Sequence, residues 1–122
     1  MKKIILDTNF ILNCVKGKID FVPELEYMGY KILIPIEVLA ELRKIVNSKQ
    51  KLHDRQLAEI AIEILKKRKF EEIKLPLKDV DRGITRYALK NNCAIATLDR
   101  MLKYKLGAEI ITIRNKKKLA KV

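Results

Sequence analysis

Lys3-Ile4-Ile5-Leu6-Asp7-Thr8-Asn9-Phe10-Ile11-Leu12, near the start of the chain, is the stretch from which the rest is best read. Its apolar run stops at Asp7, which predicts a short buried strand that delivers a carboxylate at its C-terminal end. Thr8-Asn9 then offers N-cap oxygens to a helix through Phe10, Ile11 and Leu12, which Gly17 is expected to end.

The same strand-then-helix unit recurs outward from there. Asp20 and Pro23 open a short helix that Gly29 closes, and Tyr30-Lys31-Ile32-Leu33-Ile34 makes a second strand stopped by Pro35. Apolar residues at Ile36, Val38, Leu39, Leu42, Ile45 and Val46 form the stripe of an amphipathic helix. A polar break over 47–51 precedes a longer helix through Leu57, Ala58, Ala61, Ile62 and Leu65, ending in Lys66-Lys67-Arg68-Lys69. Phe70, Ile73 and Leu75 predict a third strand before Pro76. A helix over 79–90, a strand over 93–97, a helix over 100–106 and a strand over 109–114 complete the series. The alternation predicts an α/β fold, a three-layer α/β/α sandwich around a parallel sheet of about five strands. One domain is expected over 1–115, followed by a basic C-terminal tail over 116–122. In such sheets ligands bind beyond the carboxyl ends of the strands, so that edge is where chemistry is sought.

Two strands run into aspartates there, Asp7 and Asp99. Right-handed crossovers keep parallel strand ends on one edge, so the two carboxylates can meet despite their separation in sequence. Glu41 shares the stripe side of Val38 and Leu42, and Asp81 precedes Ile84 and Ala88 by one and two turns. Carboxylates at core-facing positions are costly unless paired, and several of them repel one another. A divalent cation resolves both problems. Oxygen donors without a His or Cys cluster favour Mg²⁺ or Mn²⁺ over zinc. Such ions beside a basic surface equip a protein for phosphodiester hydrolysis. Plainer roles stay open for each residue. Asp7 and Asp99 suit caps or turns, Glu41 can pair with Lys44, and Asp81 competes with Asp79 to serve a helix dipole. Glu37, one turn before Glu41, is expected to be exposed.

The 122 residues hold 27 Lys+Arg against 15 Asp+Glu, a formal charge of +12, which points to a polyanionic partner and most simply nucleic acid. The candidate contacts are Lys66, Lys67, Arg68, Arg100, Lys116, Lys117 and Lys118. At 48% hydrophobic the chain can bury a core, which excludes whole-chain disorder. No apolar run approaches the roughly 18 residues of a membrane span, so a cytoplasmic protein with no membrane partner is expected. Cys14 and Cys93 lack zinc spacing and read as buried hydrophobes. With only 6% aromatic residues, base stacking is not expected to be the main binding mode. The glycine-rich signatures of dinucleotide and P-loop sites and the GxSxG of serine hydrolases are missing. His53, the one histidine, reads as a surface residue.

Four segments in order resemble the PIN-domain nucleases. They are Ile4-Ile5-Leu6-Asp7-Thr8-Asn9, Pro35-Ile36-Glu37-Val38-Leu39-Ala40-Glu41-Leu42, Asp81-Arg82-Gly83-Ile84-Thr85-Arg86-Tyr87-Ala88 and Ala96-Thr97-Leu98-Asp99-Arg100-Met101-Leu102. The resemblance implies strand order 3-2-1-4-5, with the Asp7 and Asp99 strands adjacent. It implies that Asp7, Glu41, Asp81 and Asp99 are catalytic and hold one or two Mg²⁺ or Mn²⁺ ions, with Asn9 and Thr97 in support. The implied activity is endonucleolytic cleavage of single-stranded RNA. The basic character is more similar to archaeal relatives of the rRNA-processing nucleases than to acidic toxin-type ones. The alternatives are a non-catalytic RNA-binding module with the same fold, or the toxin of a toxin–antitoxin pair. A homodimer and a protein partner that confers specificity are further expectations.

Overall fold

Ile4, Ile5 and Leu6 are wholly buried at the centre of a six-stranded sheet, in β1 (Lys2–Leu6). The computed structural model describes all 122 residues. After β1 come α1 (Thr8–Lys16), α2 (Phe21–Tyr27), β2 (Tyr30–Pro35), α3 (Ile36–Val46) and α4 (Leu52–Lys66). Then follow β3 (Glu71–Ile73), α5 (Val80–Asn91), β4 (Ala94–Ala96), α6 (Leu102–Leu106), β5 (Ile110–Arg114) and β6 (Lys118–Lys121). None of these helices is long and apolar enough to cross a membrane.

The sheet order is β3-β2-β1-β4-β5-β6, and every pair but the last is parallel. The switch in direction of winding lies at β1, with β2 on one side and β4 on the other, so the site sought at the switch point is flanked by their carboxyl ends. Beyond the last paired residues Leu6 and Ala96, the Asp7 N–H still donates to the Ala96 carbonyl at 3.2 Å. The Thr97 N–H donates to the Ile111 carbonyl at 3.0 Å, so both post-strand residues are fixed by backbone pairing.

Two expectations need correction. The sheet keeps the expected order 3-2-1-4-5 and gains a sixth strand, because residues read as a tail form β6 against β5, antiparallel and in register from Ile111–Lys121 to Arg114–Lys118. Asn115 and Lys116, at φ 54° and 60°, make the tight reversal, and the Lys117 N–H closes it onto the Arg114 carbonyl at 3.1 Å. Of the lysines that look like a solvated end, Lys116 and Lys117 belong to this turn, while Lys118 and Lys121 belong to an edge strand, where they discourage further pairing. The N-cap of α1 is Asp7 itself, not Thr8 or Asn9: its Oδ1 accepts from the Phe10 N–H at 2.7 Å.

Candidate functional site

Asp7 is half-buried between β1 and α1 in an extended conformation, φ −91° and ψ 165°. Its cap bond uses Oδ1 alone, so capping engages one of the two carboxylate oxygens. The Thr97 hydroxyl, in a side chain 4% exposed, accepts from the Asp99 N–H at 3.2 Å and stands beside the Asp7 carboxylate. Asp99 lies at the surface, and its Oδ1 accepts from the Met101 N–H at 3.1 Å. The plain cap readings of both aspartates are therefore correct, and neither consumes the whole carboxylate.

Glu41 is half-buried on α3 and is held by Thr8, whose hydroxyl donates to Oε1 at 2.5 Å across the gap between α1 and α3. Lys44 makes no ion pair with it and instead lines the same cavity. On α5 the rivalry between two aspartates resolves cleanly. Asp79 takes the cap, accepting from the Arg82 N–H at 3.4 Å, and Asp81 is left exposed without a hydrogen-bond partner. Glu37, expected to be exposed, is half-buried, and both its oxygens accept from the Leu75 N–H at 3.2 Å. It pins the segment that leads into α5, because a bent loop beside α3 presents an unpaired N–H there.

Two adjoining cavities, about 340 and 390 Å³, open at this edge, and Asp7, Asn9 and Asp81 line both. Thr97 and Asp99 line the first; Thr8, Glu41 and Lys44 line the second. The four carboxylates thus straddle a common ridge. Burial raises the Asp7 carboxyl above its ordinary 3.8, and the charges of Asp81 and Glu41 raise it further. Together these outweigh the Thr97 and Phe10 hydrogen bonds, which pull the other way.

No three Asp, Glu, His or Cys side chains close into a cluster that could enclose an ion by themselves. Mg²⁺ does not require one. It is commonly bound through one or two carboxylates and keeps several waters. An oxygen-only donor set with an unpaired Asp81, and with Asp7 under like-charge repulsion, fits that mode.

The structure separates the basic residues. Lys66 ends α4, and Lys67 and Arg68 lead on to the amino end of β3, on the edge opposite the carboxylates. Lys66 pairs there with Glu63 at 3.3 Å and Arg68 with Asp20 at 3.3 Å. Arg100 adjoins Asp99 and reaches the Ile113 carbonyl at 3.5 Å. Lys116, Lys117 and Lys118 lie at the β5–β6 turn, where the Lys116 carbonyl meets Gly17 at the far end of α1, about 15 Å of helix from Asp7. Sequence reasoning missed Thr8 and Lys44 as cavity residues. The i,i+3 spacing of Glu41 and Lys44 was the available signal, and it reads more naturally as an ion pair.

Comparison with known proteins gives matches along nearly the whole chain. Residues 4–116 match the family model described as a PIN like domain. Ribonuclease VapC4 of Methanocaldococcus jannaschii is 30% identical over 124 residues, spanning 96% of this chain and 94% of the relative. Among solved structures, VapBC2 from Rickettsia felis, bound to a DNA fragment from its promoter, is similar with a TM-score of 0.64 at 19% identity. That match covers 90% of this chain and 98% of the other. A domain of a functionally unknown Methanocaldococcus jannaschii protein is similar with a TM-score of 0.63 at 18% identity, over 100% and 98%. At these identities the two structures support the fold alone.

Proposed function

The chain belongs to the PIN-like domain family, and from that premise we propose that it is a ribonuclease dependent on Mg²⁺ or Mn²⁺ that cuts single-stranded RNA. The observation that carries the reading is the acidic ridge, where Asp7 and Asp81 face two cavities at once with Asp99 on one side and Glu41 on the other. One or two hard cations held by Asp7 with Asp81, Asp99 or Glu41 would supply charge neutralisation at the phosphodiester and a more acidic attacking water. Everything else falls to the chain's own groups. Thr8 fixes the Glu41 carboxylate, and Thr97 bridges the backbone of Asp99 to the Asp7 side chain. Asn9 presents an amide to both cavities, and the unpaired Lys44 ammonium can bind a phosphate oxygen as it enters.

The test is cleavage of an unstructured labelled RNA with Mn²⁺ and with a chelator. Asp7→Asn/Asp99→Asn should reduce cleavage to background while the circular dichroism spectrum is kept. Undiminished cleavage by that double variant would sink the reading. Metal-independent binding by a wild type that cuts no single strand would favour the non-catalytic module instead.

The similarity to a VapC ribonuclease draws the toxin setting ahead of rRNA processing as the biological role. Induced expression should then arrest growth in a host cell. Coexpression of a short open reading frame adjacent to the gene should relieve the arrest, and an Asp7→Asn chain should never cause it.

A further inference from the structure

The exposed face of α5 carries Arg82, Arg86 and Lys90 at intervals of four residues, and none of them has an ion-pair or side-chain hydrogen-bond partner. All three line a groove of about 680 Å³ between α5 and α6, whose apolar wall includes Leu89, 53% exposed, and Leu102. The groove is not isolated: Asp81, Thr85 and Leu102 line both it and the cavity that holds Asp7 and Asp99.

We infer that this groove is the track along which a single RNA strand reaches the acidic ridge, with Arg82, Arg86 and Lys90 on successive backbone phosphates and Leu89 against a base. The inference rests on the proposed nuclease function. Four helical residues advance about 6 Å, close to the span of one nucleotide in an extended strand, so the spacing of the cations matches the ligand repeat. A positively charged groove that tracks the backbone is the electrostatic half of a sequence-tolerant single-strand site, and here Leu89 supplies an aliphatic rather than an aromatic contact. The acidic Asp81 stands at the inner end of the row, where the strand would pass from cationic track to metal-loaded ridge. By contrast, Lys66 and Arg68 sit on the opposite edge and already have acidic partners, so they do not extend the track.

The experiment is anisotropy titration of a labelled oligouridylate with metal-free protein in chelator over a range of salt concentrations. Arg82→Gln/Arg86→Gln/Lys90→Gln should weaken binding at least tenfold at moderate salt. It should also reduce the slope of log K against log salt by about 2, the value for three phosphates on a single strand. Leu89→Ala should weaken binding with the slope unchanged, since it removes no charge, and it guards against an unfolded triple variant. Lys66→Gln/Lys67→Gln should leave both quantities as in the wild type. The inference is overturned if the wild type binds no strand or if the α5 variant keeps its affinity and slope. It is equally overturned if the Lys66→Gln/Lys67→Gln control loses as much, or if polyglutamate displaces the strand charge for charge, which would mark a groove for acidic protein. Cleavage is read separately. A wild type that binds through α5 but does not cut would remove the nuclease reading and leave the track standing.

Discussion

The Asp7 carboxyl does two things that conflict: it caps α1, and it stands desolvated in the field of Asp81 and Glu41. Its acidity in the folded chain is therefore weaker than in the unfolded chain, and folding favours the protonated form. By linkage, the stabilising contribution of this group is fully present below the unfolded value of 3.8 and is lost as pH rises through the folded value. Near neutrality Asp7 is thus a net cost to the metal-free fold. Asp7→Asn keeps an acceptor for the Phe10 N–H, so the cap survives and the cost disappears. In chelator at about pH 7 the Asn variant should melt several degrees above the wild type, and the gap should close as pH falls towards about 4. Added Mn²⁺ should raise the melting temperature of the wild type and not that of the variant. A variant that melts at or below the wild type in chelator at neutral pH counts against the electrostatic account.

Gly17 shows at the level of elements why part of this fold could not be read in advance. As a helix stop it was legible, and it does cap α1. Its φ of −84° is ordinary, though, so glycine is not there for its conformation. A Cβ would lie 2.4 Å from the Lys116 carbonyl oxygen, so the end of α1 and the β5–β6 turn pack backbone against backbone. No local pattern predicts that approach, because it joins segments a hundred residues apart; β6 was hidden differently, as a hairpin partner of the adjacent β5 masked by its own charge. The segment Lys118–Lys121 reads as the end of a charged tail, while its strand character comes from pairing with β5. The carboxylates were legible for the opposite reason: Asp7 directly follows a buried apolar run and Asp99 comes three residues after another, so strand position and chemistry are written in the same few residues. Thr8 and Glu37 were not, since their partners Glu41 and Leu75 are brought to them by tertiary packing. Gly17→Ala should cost about 2 kcal/mol, within the usual overpacking range, because backbone rather than a flexible side chain must move. The Lys118–Lys121 amides should exchange faster than in the wild type. An Ala variant of unchanged urea midpoint would show that the turn shifts at no cost.

Across the whole molecule the +12 charge leaves acidic residues scarce, and the structure commits most of the informative ones to fixed tasks. Beyond the carboxyl ends of the strands they gather; at the opposite edge Glu109 acts as a clasp. It precedes β5 and reaches Lys121 of β6 at 2.7 Å and Lys2 of β1 at 3.0 Å, with the Tyr30 hydroxyl of β2 also against it. Burial alone would raise its carboxyl, but Lys121, Tyr30 and Lys2 outweigh that and hold it at about 2, against an ordinary 4.5. A depressed folded value means stability that is present above about 4.5 and is lost as pH falls through about 2. The lysines are 41% and 65% exposed, so solvent screens the pairs, and a contribution of about 1–2 kcal/mol is reasonable rather than the full shift. Glu109→Gln should therefore be less stable than the wild type by about that amount in urea near pH 7. The difference should shrink through the window from about 4.5 to about 2, where the wild type loses its clasp and the variant has none to lose. Repulsion among the remaining cations grows in both chains alike as acid is added, so the difference between them isolates this one carboxylate. A gap between the two chains that persists undiminished at about pH 2 would place the stabilising effect of Glu109 in packing instead of charge.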